Sequence, residues 1–349
     1  MTHIWIRAEQ RAQEERVGIL PEGVQALVTA GFRVTIEDSP QRALPLEPYL
    51  QAGAEHAGFA SWPDAPHDAI IFGLKELPDT DLPLVHRHIM FGHAFKGQPA
   101  GQRLLARFRA GGGVLLDLEY LTDDQGRRVA AFGYWAGFAG AAVSCLAYAA
   151  LSRGGLCAPL TRFADRHAMT EAAATALAGL DAPRVLIIGA LGRVGTGASD
   201  LCRALGLPVT GWDMAETAHG GPFPEILRHE IFLNCILAAP GTPVFIPPGT
   251  PNDPRALRVI GDIACDPESE FSPIKIYDRV TDWARPVRRV AGQPPLDIMA
   301  IDNLPSLLPI EASEDFAAQL LPHLLTLDQP HQPVWARAEE IFQAHIAAR

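Results

Sequence analysis

Several apolar, strand-like runs in the leading part of the chain end directly in residues that titrate or carry charge. The run 69–73 leads into Lys75 and Glu76, the run 88–92 into His93 and Lys96, and the run 114–118 into Glu119, while Arg16 follows the first run, 4–7. Taken singly, these are the charges that any solvated loop carries after a strand. Together they form a set that can move protons. Desolvation lowers a lysine's pKa and nearby carboxylates raise it. A lysine adjoining a histidine and two carboxylates inside a closing cleft would thus form a pair able to exchange protons near neutral pH. Arg127 and Arg128 follow in the segment DLEYLTDDQGRR, and a guanidinium aimed into a cleft grips a carboxylate bidentately, with Arg16 available for a second one. For Arg127, a plain surface position beside a turn is an equal reading.

A second kind of chemistry lies in RVLIIGALGRVGTGASDLCRALGLPVTGWD, residues 184–213. It reads as strand, glycine turn, helix, strand, acid. Gly189, Gly192 and Gly195, with Arg193 between them, are spaced so that backbone amides can approach a pyrophosphate, and the helix that follows turns its N-terminal dipole toward that anion. The spacing departs from the common G-x-G-x-x-G form, but the context is right for a dinucleotide site. Asp213, closing the next strand, is placed to accept hydrogen bonds from adenosine ribose hydroxyls and to repel a 2′-phosphate. NAD rather than NADP is the expected cofactor.

These residues need strand ends to hold them. Strands are expected at 4–7, 33–37, 69–73, 88–94 and 113–117, with helices at 21–30, 48–52 and 101–110; a second series follows at 185–189, 208–212, 231–237, 259–263 and 299–301, with a helix from 198. The fold class is α/β, with two Rossmann-like domains, parallel sheets separated by a cleft, a long helix from about 137 between them, and C-terminal helices packing back on the first domain. Residues 1–135 with 310–349 form the substrate and catalytic domain, and 136–309 the NAD-binding domain. A chain of 349 residues favours two cores over one. Its net charge of −11 argues against nucleic-acid and anionic-membrane partners. The uncharged stretch 129–151 is long enough to span a bilayer, but its Gly/Ala richness reads as a buried core helix. Five cysteines without C-x-x-C spacing point to reduced thiols, a cytoplasmic setting and no metal site.

The blocks RAEQRAQEERVGILP, EDSPQRA, IIFGLKELPDTDLPLVHRHIMFGHAFKGQ, DLEYLTDDQGRRVAAFGYWAGFAGAA, VLIIGALGRVG, WDMAETAHGGPF and IDNLPSLLPIEASEDF resemble, in order and over nearly the whole chain, the NAD-dependent, lysine-forming saccharopine dehydrogenases. These lie within the wider alanine dehydrogenase and transhydrogenase group. The resemblance implies reversible oxidative cleavage of saccharopine, with NAD and water, to lysine and 2-oxoglutarate through an imine and a carbinolamine. It implies Lys75 and His93 as acid–base residues, Glu76 and Glu119 as their pKa-tuning neighbours, and Arg16 and Arg128 on substrate carboxylates. Lys96 and Asp302 are implied to line the substrate site, and Gly189, Gly192, Arg193, Gly195 and Asp213 the cofactor site. Val194 stands where fungal members can carry a cysteine able to pair with the counterpart of Cys235, Asn303 where relatives often have histidine, and Met214-Ala215 where relatives have a lysine-bearing stretch. The expected partners are small molecules alone, acting on a monomer or small homo-oligomer. An ammonia-using alanine-dehydrogenase-like enzyme and a catalytically idle NAD-binding sensor share the fold and are the alternatives.

Overall fold

The computed structural model describes residues 1–329 and 331–347. They fall into two compact units, Met1–Ala131 with Pro309–Arg349, and Phe132–Leu308. The first unit begins with β1 (His3–Ile6), α1 (Pro21–Thr29), β2 (Arg33–Glu37), α2 (Glu47–Gln51) and β3 (Glu55–Ala57). It continues with β4 (Ile70–Phe72), β5 (Arg87–Met90), α3 (Pro99–Gly111) and β6 (Val114–Asp117). The six strands form one parallel sheet in the order β3-β2-β1-β4-β5-β6. Parallel sheets are covered on both faces, and β4 accordingly reads as an unbroken apolar run, buried at every residue. Pro21 and Pro99 open α1 and α3, where the missing N–H costs nothing, and Gly112 ends α3 in the left-handed conformation.

The second unit opens with α4 (Gly133–Ser152) and α5 (Arg166–Leu177), then β7 (Val185–Ile188), α6 (Arg193–Ala204), β8 (Val209–Trp212) and α7 (Met214–Thr217). Its remaining strands are β9 (Ile231–Asn234), β10 (Val259–Asp262), β11 (Arg288–Gly292) and β12 (Pro295–Met299). The sheet order is β11-β12-β10-β9-β7-β8, parallel except for the antiparallel edge strand β11. The chain then returns to the first unit with α8 (Pro309–Leu324), which packs near α1, and α9 (Pro333–Ala347), which packs on β6.

Helix α4 starts at Gly133, four residues before the expected position, and the first break between units falls just ahead of it. It is long and apolar enough to cross a membrane by length and composition, yet most of it is buried within the second unit, where α6, α5 and β10 pack on it. It is thus a core element of that unit. Helix α6 also begins earlier than expected, at Arg193. Gly195 and Gly197 weaken helix propensity there, but a Cβ on Gly197 would sit 1.9 Å from the Tyr134 carbonyl oxygen, and one on Gly137 would sit 1.8 Å from that of Val194. The backbones of α4 and α6 are in contact, and that packing overrides propensity. The short edge strand β3 and helix α5, capped by Asp165, carry weaker sequence signals and were not expected; β12 starts on Pro295, which is tolerated at a strand's first position.

Candidate active site

Adjacent parallel strands place their C-terminal ends side by side, so β1, β4, β5 and β6 deliver their loops to one edge of the first sheet. The register sets Phe72 beside Ile89 and Met90 beside Asp117. Lys75 and His93 therefore leave neighbouring strands, and Glu119 leaves the next one along.

The loop carrying Lys75 is pinned by its backbone. Glu9, just beyond β1, accepts hydrogen bonds from the Leu74 amide at 2.6 Å and the Lys75 amide at 3.0 Å, and the buried Arg7 donates to the Lys75 carbonyl. The Lys75 side chain is half-buried and within electrostatic reach of Glu14. Glu14 in turn receives the fork of Arg16, Nε to Oε1 at 2.7 Å and Nη2 to Oε2 at 2.6 Å, with both side chains almost fully buried. Burial pushes the Glu14 carboxyl up, but Arg16 and Lys75 outweigh it and hold that carboxyl below the usual range. Part of Arg16's donor fork is thus taken by a carboxylate of the chain itself.

Glu119 is the hub of the other half. Its Oε1 receives Arg128 at 2.6 Å and Lys96 at 3.2 Å, while Oε2 faces His93 Nδ1 at 3.6 Å. Its side chain is 12% exposed, against 49% for His93 and 50% for Lys96, so the carboxylate lies beneath these more exposed side chains. His93, acting against burial and helped by Arg128 and Lys96, holds the Glu119 carboxyl down at about 2. A carboxylate so stabilised stays charged beside the imidazole.

Glu76 does not join this set: it is exposed and lies 3.8 Å from Arg11. The carboxylate within reach of Lys75 is Glu14 instead, a residue that sequence reasoning missed. Glu14 and Arg16 follow a turn in which Gln13 has a φ of 65°, and such a turn has no periodic signature. Arg127, the other open guanidinium, pairs with Asp123 on the surface at 3.0 Å.

In the second unit, Gly189 turns out of β7 with a φ of 87°, and Gly192 caps α6 without a side-chain hydrogen bond. No side chain of the cap therefore competes with an anion for the first-turn amides. A Cβ on Gly195 would lie 2.1 Å from the Gly189 carbonyl oxygen, so only glycine allows helix and turn this close. Asp213 accepts from the Leu191 amide at 3.1 Å and from the Met214 amide at 2.9 Å, with Glu216 accepting from its own amide at 2.7 Å. That fixes the carboxylate and leaves lone pairs for further donors. Leu191 and Met214 are 85% and 82% exposed beside it, apolar surface suited to an adenine ring. The turn, the cap and the acid fit a dinucleotide. Arg193 opens α6 in an exposed position, and Asp302 is exposed in the second unit, near enough to Cys265 to act on it electrostatically. All five cysteines are free thiols, and no cluster able to hold a metal ion occurs among the described residues.

The family described as alanine dehydrogenase/PNT, N-terminal domain, matches residues 5–139. Over 99% of its length the chain is 44% identical to a saccharopine dehydrogenase [NAD(+), L-lysine-forming] of Schizosaccharomyces pombe, covering 98% of that protein. It is 43% identical to the enzyme of the same name from Neurospora crassa, covering 97% of it. Among solved structures, an L-alanine dehydrogenase superposes with a TM-score of 0.69 at 18% identity, covering 98% of this chain and 94% of that one. A transhydrogenase from Sinorhizobium meliloti does so at 0.62 and 19% identity, covering 93% and 94%. The latter two share the fold.

Proposed function

Because the chain belongs to the NAD-dependent, lysine-forming saccharopine dehydrogenases, we propose that Lys75 and His93 are the acid–base pair of its reaction and that Glu119 keeps His93 in its working orientation. The chain cleaves saccharopine to lysine and 2-oxoglutarate. It uses NAD, which when bound takes up the hydride that leaves the glutaryl α-carbon. The Gly189–Gly195 turn and Asp213 hold that cofactor in this reading, with Arg193 at the helix start.

The chain's own residues then have proton work at each stage. The secondary amine must lose a proton as its α-carbon is oxidised to the imine. The water that adds to the imine must lose another, and the departing lysine nitrogen must gain one as the carbinolamine collapses. Two groups that alternate between acid and base cover these transfers. Lys75, set against Glu14, and His93, set against Glu119, stand at neighbouring strand ends for that purpose. Arg128, with Lys96 beside it on Glu119, and Arg16 on Glu14 bind the carboxylates of the keto-acid half in this reading. The observation that carries this reading is the convergence of His93, Lys96 and Arg128 on one mostly buried carboxylate at the end of β6.

The test is NADH consumption with lysine plus 2-oxoglutarate, compared with pyruvate plus ammonia and with no substrate. Only the first pair is expected to turn over. Equal or faster turnover with ammonia overturns the reading, and so does an absence of turnover with every pair.

A further inference from the structure

Asp117 is the last residue of β6, and the reaction as described gives it no role. Its carboxylate is 1% exposed, yet both oxygens are engaged: Oδ1 accepts from the Glu119 amide at 2.9 Å and Oδ2 from the Gly92 amide at 3.2 Å. One bond fixes the backbone of the carboxylate hub. The other fixes the residue just before His93.

The backbone of His93 needs such support. Its φ of 47° lies in the left-handed region, which costs a non-glycine residue about 1–3 kcal/mol and persists only where the surroundings impose it. From the other side, α3 presses on the same turn. A Cβ on Gly101 would lie 2.9 Å from the His93 carbonyl oxygen and 2.8 Å from Ala94 Cα. The turn is held between the Asp117 carboxylate and the bare backbone of α3.

We propose that Asp117 is a positioning residue for the acid–base step: by tying the Gly92–His93 turn to Glu119 it sets the distance and angle between imidazole and carboxylate, acting through their backbones. This rests on the assignment of His93 and Glu119 made above. Burial pushes the Asp117 carboxyl up to about 6, opposed by its two amide donors and by His93. The titratable groups facing it are His93, Glu119 and Tyr120. A buried carboxylate serving only to satisfy turn amides would support the fold without affecting the imidazole.

The discriminating variant is Asp117→Asn, which keeps the shape but puts an NH₂ where one amide needs an acceptor. Small misplacements of a reacting group cost large factors, so kcat is expected to fall about thirty-fold while KM for saccharopine and Kd for NAD stay within about three-fold. The imidazole ¹⁵N resonances of His93, assigned by their loss in His93→Gln, should shift in the same variant. Gly101→Ala, which displaces the turn with Asp117 intact, should give the same kcat-selective loss, and it decides the matter should Asp117→Asn fail to fold. Wild-type kcat per folded molecule, a loss confined to KM, or unmoved His93 resonances overturns the proposal. The resonance readout needs no turnover. Shifted signals in a protein inert toward saccharopine would leave Asp117's role standing and remove the reaction, whereas unmoved signals in an active enzyme would do the reverse.

Discussion

The strand ends of the first sheet and the glycine turn of the second use opposite means to prepare for a charged ligand. At β4, β5 and β6 the preparation is made by side chains, with Glu14 bracing Arg16, Glu119 gathering Lys96, Arg128 and the His93 imidazole, and Glu9 and Asp117 pinning the loops between them. At β7 it is made by backbone, with a bare cap, a left-handed glycine and a helix seated against a carbonyl. A pyrophosphate is the same in every turnover, and fixed amide dipoles suit it. An amine that becomes an imine and then a carbinolamine changes its charge at each stage, and only titratable groups can follow it. The difference predicts that changes at the glycine turn and its acid damage cofactor affinity, while charge changes at the strand ends of the first sheet damage rate.

A large effect is expected at Gly195. An added Cβ must displace the backbone of the turn, and overpacking of this kind costs about 1–3 kcal/mol. Gly195→Ala should therefore raise the Kd for NAD roughly ten- to hundred-fold. Isothermal titration checks this, and an unchanged affinity would remove the turn from the cofactor site.

The smallest effect is expected beneath the catalytic edge. His88, in β5, is buried between Trp62 and Phe108, and neither ring nitrogen finds a hydrogen-bond partner among the described residues. Burial, reinforced by Arg7, His86 and Arg107, holds its pKa well below 6.5. The unfolded chain therefore takes up this proton first. Stability from neutral His88 is complete above pH 6.5 and is lost as pH falls below it. Since an unpaired buried polar group is a liability, His88→Leu should hold or raise stability at pH 7, by about 1 kcal/mol at most. It should also reduce the loss of stability on acidification. Urea titrations at neutral and mildly acid pH test both, and an undiminished acid loss would show that other groups, such as His3 and His323, carry it.

Much of both sites was legible in the sequence because strand, glycine turn and acid are local signals. Lys75, His93 and Glu119 could be read as strand-end charges, and Asp213 as the acid closing a β-α-β unit. What escaped was partnership across sequence distance. Glu76 adjoins Lys75 in the chain but is exposed beside Arg11, while Glu14, 61 residues before that lysine, comes within its electrostatic reach from the loop after β1. Asp117 looked like one more strand residue because its function lies in accepting two backbone amides, which leaves no mark on composition or spacing. The early start of α6 was hidden for a related reason: its glycines oppose a helix locally and are required by its contact with α4.

The division of labour between the two units is tested most directly by crossing two variants with two readouts. Glu119→Gln should lower kcat about hundred-fold, within the range general acid–base groups contribute, and leave the Kd for NAD unchanged. Asp213→Ala should raise that Kd about ten-fold and relax discrimination against NADP, with kcat at saturating NAD close to wild type. If each variant alters both quantities to a similar extent, proton chemistry and cofactor recognition are not separable in this enzyme, and the central claim is contradicted.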